Sequence, residues 1–275
     1  MMHPFERIMV ATEHTEFDSG AERLAFDMAL RCKLPLTAVI PVMSNPEYEA
    51  AAPLLAERAE QEAATKVRIL YDYSVLTGVQ LEVVARRGPE PYLEIVQEAI
   101  ERQSDLIVTR RRGKQGFLAR LLVGEMVSKV VGHAPCSVLL VPRASQMWSH
   151  HILAGIDNSP SAQHVARFAA KIAAQCGLPL TLISVISHDV DSLRKQAETI
   201  LGHALAISSA AGIHAQSRIL VGKHFEQILS TAKELLADLI VVGRHGESNL
   251  IRTPFGGTMQ KIIGLAEGPV LVVRS

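Results

Sequence analysis

Two tandem α/β domains, each a doubly wound five-stranded parallel sheet flanked by helices, are predicted by three features of this sequence. Short apolar, β-rich runs alternate with helical patterns along the whole chain. The chain is also written twice: Cys32-Lys33-Leu34-Pro35-Leu36-Thr37 returns 144 residues later as Cys176-Gly177-Leu178-Pro179-Leu180-Thr181. Finally, the turns beginning at Asp157 and Gly243 fall at the carboxyl ends of predicted strands, where open parallel sheets hold their ligands.

The repeat extends in both directions. Ile8-Met9-Val10-Ala11-Thr12-Glu13 matches Ile152-Leu153-Ala154-Gly155-Ile156-Asp157 at the same spacing. Ser104–Val108 matches Ala237–Val241, and Val138–Val141 matches Val270–Val273, at spacings of 133 and 132. The shorter spacing reflects a longer second helix in the first copy, around residues 46–77. The joint falls near Pro142 to His150, so the domains are expected at 1–144 and 150–275.

In the second copy the strands are predicted at 151–156, 179–186, 214–220, 238–242 and 269–274. A helix from Ser161 to Cys176 sets Val165, Phe168, Ala169, Ile172 and Ala173 on one face. Ser159-Pro160 before it supplies a cap and a first-turn proline. Helices near 189–210, 223–236 and 257–265 fill the remaining gaps, and right-handed crossovers follow from the parallel order.

Composition excludes several classes of function. Lys plus Arg equals Asp plus Glu at 28 each, so no general attraction to nucleic acid or anionic lipid is expected. Aromatic residues make up only 4%, too few for a base-stacking platform. No apolar run approaches the roughly 18–20 residues of a membrane span, and the N-terminus lacks a signal-peptide core. Cys32, Cys136 and Cys176 have no metal or disulfide spacing and read as core thiols in a reducing, cytoplasmic setting. The eleven histidines show no pair with convincing metal spacing, so no metal site is expected.

The richest stretch is Leu239-Ile240-Val241-Val242-Gly243-Arg244-His245-Gly246, followed after nine residues by Gly256-Gly257-Thr258. A buried strand ends at Gly243, glycines leave bare N–H groups, and a helix begins near Thr258 and Met259. Such a combination favours an anion, most often phosphate. An ordinary Gly-rich turn is the competing explanation. There is no Walker A motif, since Gly222-Lys223 is followed by His224.

These residues resemble the universal stress protein family in its tandem two-domain form. The resemblance rests on Ile156-Asp157-Asn158-Ser159, on Val221-Gly222, and on the glycine array, whose spacing matches members that bind ATP. It implies an adenine-nucleotide-hydrolase-like, Rossmann-like fold. It further implies a nucleotide site in which Asp157, Asn158 and Ser159 lie near the adenosine and the Val185 backbone meets the adenine edge. Gly243, Gly246, Gly256 and Gly257 would surround the phosphates, with Arg244, His245 and Thr258 beside them. The cofactor implied is ATP or another adenine nucleotide; separately, the Asp157 carboxylate could hold a magnesium ion on a nucleotide phosphate. Gly257 replaces the hydroxyl residue often found in the family.

The first copy departs from that pattern at five points. Arg110 stands at the Gly243 position, Glu13 replaces Asp157, and Pro41 removes the N–H available at Val185. Ten residues rather than nine separate Gly113 from Gly124, and Glu125 puts a carboxylate where a phosphate would sit. The first copy is therefore read as a structural partner, with Arg110-Arg111-Arg112 as a solvated charge run. A different ligand, acidic or apolar, held near that triplet is the alternative.

No catalytic set is expected; the pocket supports at most weak ATP hydrolysis. Three functions remain open: a nucleotide-binding stress-response sensor or regulator, a slow ATPase or phosphotransferase, and a nucleotide-free interaction protein. The terminal strands, Cys136–Val141 and Pro269–Arg274, are expected to pair within the chain as a pseudo-dimer, with a homodimer of chains as a further possibility.

Overall fold

A computed structural model of the chain describes residues 4–111, 124–244 and 256–274. The first half runs β1 (Ile8–Ala11), α1 (Ser19–Cys32), β2 (Leu36–Met43), α2 (Pro46–Ala51), α3 (Pro53–Thr77), β3 (Leu81–Gly88), α4 (Pro91–Glu101), β4 (Leu106–Arg110), α5 (Glu125–His133) and β5 (Ser137–Val141). The second runs β6 (Ile152–Gly155), α6 (Ala162–Cys176), β7 (Leu180–Ile186), α7 (Asp191–Ala210), β8 (Gln216–Val221), α8 (His224–Glu234), β9 (Leu239–Gly243), α9 (Gly257–Leu265) and β10 (Val270–Val273). Among these elements no helix is long and apolar enough to cross a membrane.

The strands form one ten-stranded sheet in the order β3-β2-β1-β4-β5-β10-β9-β6-β7-β8. Pairing is parallel within each half. The halves join where β5 and β10 pair antiparallel, with Val270 opposite Leu140 and Val272 opposite Val138. The two strands expected as edges thus lie at the centre of the sheet.

Burial on both faces explains the unbroken apolar runs of the central strands. Ile8 and Val10 point into one core layer, with Leu24 of α1, Leu70 of α3, Val165 of α6 and Leu201 of α7. Met9 and Ala11 point into the other, with Ile95 of α4, Val130 of α5, Ile228 of α8 and Ile262 of α9. Both layers are continuous across the β5–β10 seam.

One helix differs from expectation. The stretch 46–77 is two helices, because Pro53 lacks an N–H and forces the preceding residue out of helical conformation. Ala52 accordingly sits at φ −139°, ψ 64°.

The duplication is exact enough to repeat polar contacts that the sequence did not announce. Asp105 accepts the backbone N–H groups of Glu6 and Arg7 at 2.7 and 3.0 Å. Asp238 does the same for Ser149, His150 and His151 at 2.6, 3.0 and 3.2 Å. Each carboxylate satisfies the donors of the chain as it enters a half.

The joint after β5 packs back over α1. Arg23 donates to the Ser145 carbonyl at 2.8 Å, Trp148 is buried, and a Cβ on Gly20 would lie 2.2 Å from the Pro142 carbonyl oxygen. Gly20→Ala is expected to destabilise the chain by about 1–3 kcal/mol, because two backbones must part. A urea midpoint equal to that of the parent would contradict this close approach.

His151 supplies a pH test. Its Nε2 lies 2.9 Å from Thr181 Oγ1, and burial lowers its pKa from the ordinary 6.5, with Asp238 opposing. The unfolded chain therefore binds this proton at higher pH than the folded one. The contribution is fully present above about 6.5 and is lost as pH falls below it. His151→Gln should flatten the fall in stability between about pH 7.5 and about pH 5.5; an unchanged slope in urea unfolding would refute the assignment.

Candidate functional site

In the second half β6 lies between β9 and β7. The chain leaves β6 toward β7 but leaves β9 toward β10, and connections that part in this way open a crevice at the strand carboxyl ends. The loop from Ile156 to Ser161, the end of β7 at Val185, and Gly243 at the end of β9 all lie at that end.

Asp157 organises the first loop. Its Oδ1 accepts the Ser159 N–H at 3.1 Å and the Ser159 hydroxyl, a turn in which an aspartate takes the place of a backbone acceptor. Ser159 Oγ also lies 2.8 Å from Ser161 Oγ. This corrects the expected role of Ser159. It fixes the turn, while α6 begins at Ala162 with Ser161 at its N-cap position. Asn158 is exposed beside it.

Gly243 sits in close contact with the protein itself. A Cβ there would lie 2.3 Å from Ser161 Oγ and 3.2 Å from Ser161 Cβ, so the end of β9 and the start of α6 meet without room between them. Gly256 and Gly257 are different. Among the described residues, a Cβ at either meets no atom within 4 Å. They form the N-cap and first residue of α9, exposed with Thr258, and the first turn carries no acidic residue. His245 and Gly246 lie outside the described residues.

A pocket of about 190 Å³ borders the Asp157 turn on its α7 side, lined by Asp157, Asn158 and Ser159 with Ile200, His203 and Ile207. Neither Val185 nor Gly243 lines it. His203, which sequence spacing left unassigned, reaches this turn because α7 packs along α6. Among the described residues no three His, Cys, Asp or Glu side chains gather as a metal site.

Arg244 is bonded to the opposite half. Its N–H bonds the Val273 carbonyl at 3.0 Å, and its Nη1 reaches the carbonyls of Gly132 and Ala134, each at 3.3 Å, at the end of α5. Arg111, the matching residue of the first half, makes the mirror contact to the Ala266 carbonyl at the end of α9. Each half thus sets a guanidinium on the negative helix end of the other. Burial, then the neighbouring Arg274, lowers the Arg244 pKa.

The corresponding crevice in the first half is filled from within. Arg110 is only 2% exposed, and its Nη1 donates to Asp18 Oδ2 at 2.9 Å and to Thr15 Oγ1 at 3.1 Å. Its Nη2 lies 2.8 Å from Glu13 Oε2, an ion pair whose angle makes no hydrogen bond. The solvated charge run expected at 110–112 is therefore overturned for its first two members, since Arg110 is buried in an ion cluster and Arg111 is docked on α9; Arg112 lies outside the described residues. Asp18 precedes α1 as Ser161 precedes α6, so one contact is glycine against serine and the other arginine against aspartate.

A double substitution tests the first of these contacts. Gly243→Ala should cost about 1–3 kcal/mol, and Ser161→Gly in the same chain should recover most of it. Additive losses in denaturant unfolding would show that the two residues do not meet.

Comparison with known proteins follows the duplication. The universal stress protein family profile matches residues 4–142 and again 149–274. A universal stress protein of Synechocystis is 27% identical over 177 residues, 64% of this chain, which spans 60% of that relative's length. Universal stress protein A homolog 1 of Coxiella burnetii is 32% identical over 142 residues, 45% of this chain and 94% of its own. Among solved structures, a universal stress protein from Archaeoglobus fulgidus superposes with a TM-score of 0.72 over 99% of this chain and 97% of that one. At 20% identity this is a likeness of fold. With both halves matched across nearly the full sequence, the chain belongs to the universal stress protein family, as a tandem of two such domains.

Proposed function

We propose that the second half binds an adenine nucleotide, ATP foremost, in the crevice at the ends of β6, β7 and β9, and that the protein acts as a stress-response sensor or regulator. The observation that carries this reading is the contrast between the two crevices. One is occupied by buried Arg110, paired with buried Asp18 and half-buried Glu13, and has an exposed acid, Glu125, in the first turn of α5. The other ends in glycine and faces a helix that starts with two glycines, with no acid in its first turn and, among the described residues, no atom within 4 Å of a Cβ at either glycine. Helix N–H groups and the helix dipole stabilise phosphate without a basic side chain, which agrees with Arg244 being engaged elsewhere.

In this reading the Asp157 turn and Val185 hold the nucleoside, while Gly243, Gly256, Gly257 and Thr258, with His245 and Gly246, surround the phosphates. Magnesium would join Asp157 to the phosphates. The first half is the structural partner: β5–β10 pairing and the reciprocal arginines support an intramolecular pseudo-dimer.

Isothermal titration with ATP and magnesium tests the proposal against Gly257→Glu, which places in α9 the carboxylate that α5 carries at Glu125. Because a Cβ at 257 meets no atom of the described residues within 4 Å, the fold should survive. One nucleotide per chain, lost in the folded variant, is expected. Two per chain would refute the reading of the first half, and none would favour the nucleotide-free interaction protein. Phosphate release by the same samples distinguishes a slow ATPase from a sensor.

A further inference from the structure

At the pseudo-two-fold junction, away from both crevices, a cavity of about 270 Å³ opens between the carboxyl ends of α1 and α6 and the joint after β5. Four sulfur-bearing side chains line it: Met28 and Cys32 from α1, Met147 from the joint, and Cys176 from α6. Cys32 and Cys176 are equivalent residues of the two halves, so the duplication brings the same thiol to the cavity twice. Arg31 stands at the rim of the same cavity.

The polar atoms here are aimed at sulfur. Gln175 Nε2 donates to Cys32 Sγ at 3.2 Å, and the Trp148 indole N–H donates to Cys176 Sγ at 3.3 Å. A thiol is a weak acceptor, whereas a thiolate is a strong one. Two donors turned toward two half-buried sulfurs are arranged for the charged form, in the way that surrounding hydrogen bonds support metal-bound ligands. Among the described residues no carboxylate or imidazole lines the cavity. Hard and borderline cations lack their preferred ligands there, while thiolate and thioether suit a soft monovalent ion.

We infer that this cavity is a Cu(I) site, with the thiolates of Cys32 and Cys176 as principal ligands and the thioethers of Met28 and Met147 beside them. Binding replaces two S–H bonds by two Cu–S bonds and releases two protons to solvent, with no change of oxidation state. The bis-thiolate complex carries one net negative charge, which Arg31 offsets. Because binding releases the thiol protons, affinity should rise with pH. A bound ion would tie α1 of one half to α6 of the other.

The test is anaerobic titration of the reduced full chain with Cu(I) against the chromophoric competitor bicinchoninate. One Cu(I) per chain withheld from the competitor is expected, with quenching of Trp148, the single tryptophan. Cys32→Ser and Cys176→Ser should each abolish retention, Trp148→Phe should weaken it by roughly 10-fold, and Cys136→Ser should leave it intact. Cys136 is a fair control, because burial pushes its thiol up to about 12 and it does not line the cavity. Retention by the Cys32→Ser/Cys176→Ser chain, or surrender of all copper by the parent, would overturn the site. X-ray absorption on the loaded parent chain keeps the test independent of variant folding: a sulfur-only shell supports the site, and a nitrogen or oxygen shell refutes it.

Discussion

The antiparallel pairing of β5 with β10 is the constraint on which the rest of the molecule depends. Each half alone would end in an apolar strand with a row of unpaired N–H and C=O groups, a template for uncontrolled association. Pairing Val138, Leu139 and Leu140 with Val272, Leu271 and Val270 removes both edges at once. It also lets two core layers run unbroken across the sheet, so a chain of two ordinary domains buries its apolar surface as one body. Among the described strands the outer edges left are β3 and β8, both of which are partly exposed and carry charged or polar residues.

With the halves held in this way, the duplication has been free to diverge at the strand ends. The contrast turns on one position. Glycine at 243 lets β9 touch Ser161, whereas arginine at 110 extends into the space and draws Asp18 and Glu13 around it. A buried guanidinium with two carboxylates is costly to disrupt, since removal of one partner leaves an unpaired buried charge. The first half has thus exchanged an open crevice for an internal ion cluster, and its fold is preserved by the exchange.

The reciprocal contacts of Arg111 and Arg244 give the seam a second function. Each arginine follows directly on the strand that ends at a crevice, and each reaches a helix terminus in the opposite half. The residue beside Gly243 is therefore bonded to the end of α5 in the opposite half.

The sequence by itself determined the duplication, the alternation of strands and helices, the parallel order within each half, and the asymmetry of the two glycine arrays. These are local properties: apolar runs, glycine spacing and repeated segments are written in neighbouring residues. Pro53 also carried the break between α2 and α3, although helical periodicity across 46–77 masked it. Tertiary structure alone decided where long polar side chains go. Nothing adjacent to Arg110 marks it as buried, because its partners at 13, 15 and 18 lie across a strand crossover, and nothing near Arg244 points to Ala134 in the other half. Likewise Ser161 meets Gly243 and Cys32 meets the cavity of Cys176 only because distant segments converge. Backbone pattern is set by what each residue is; the destination of a charge is set by what the fold brings within reach of it.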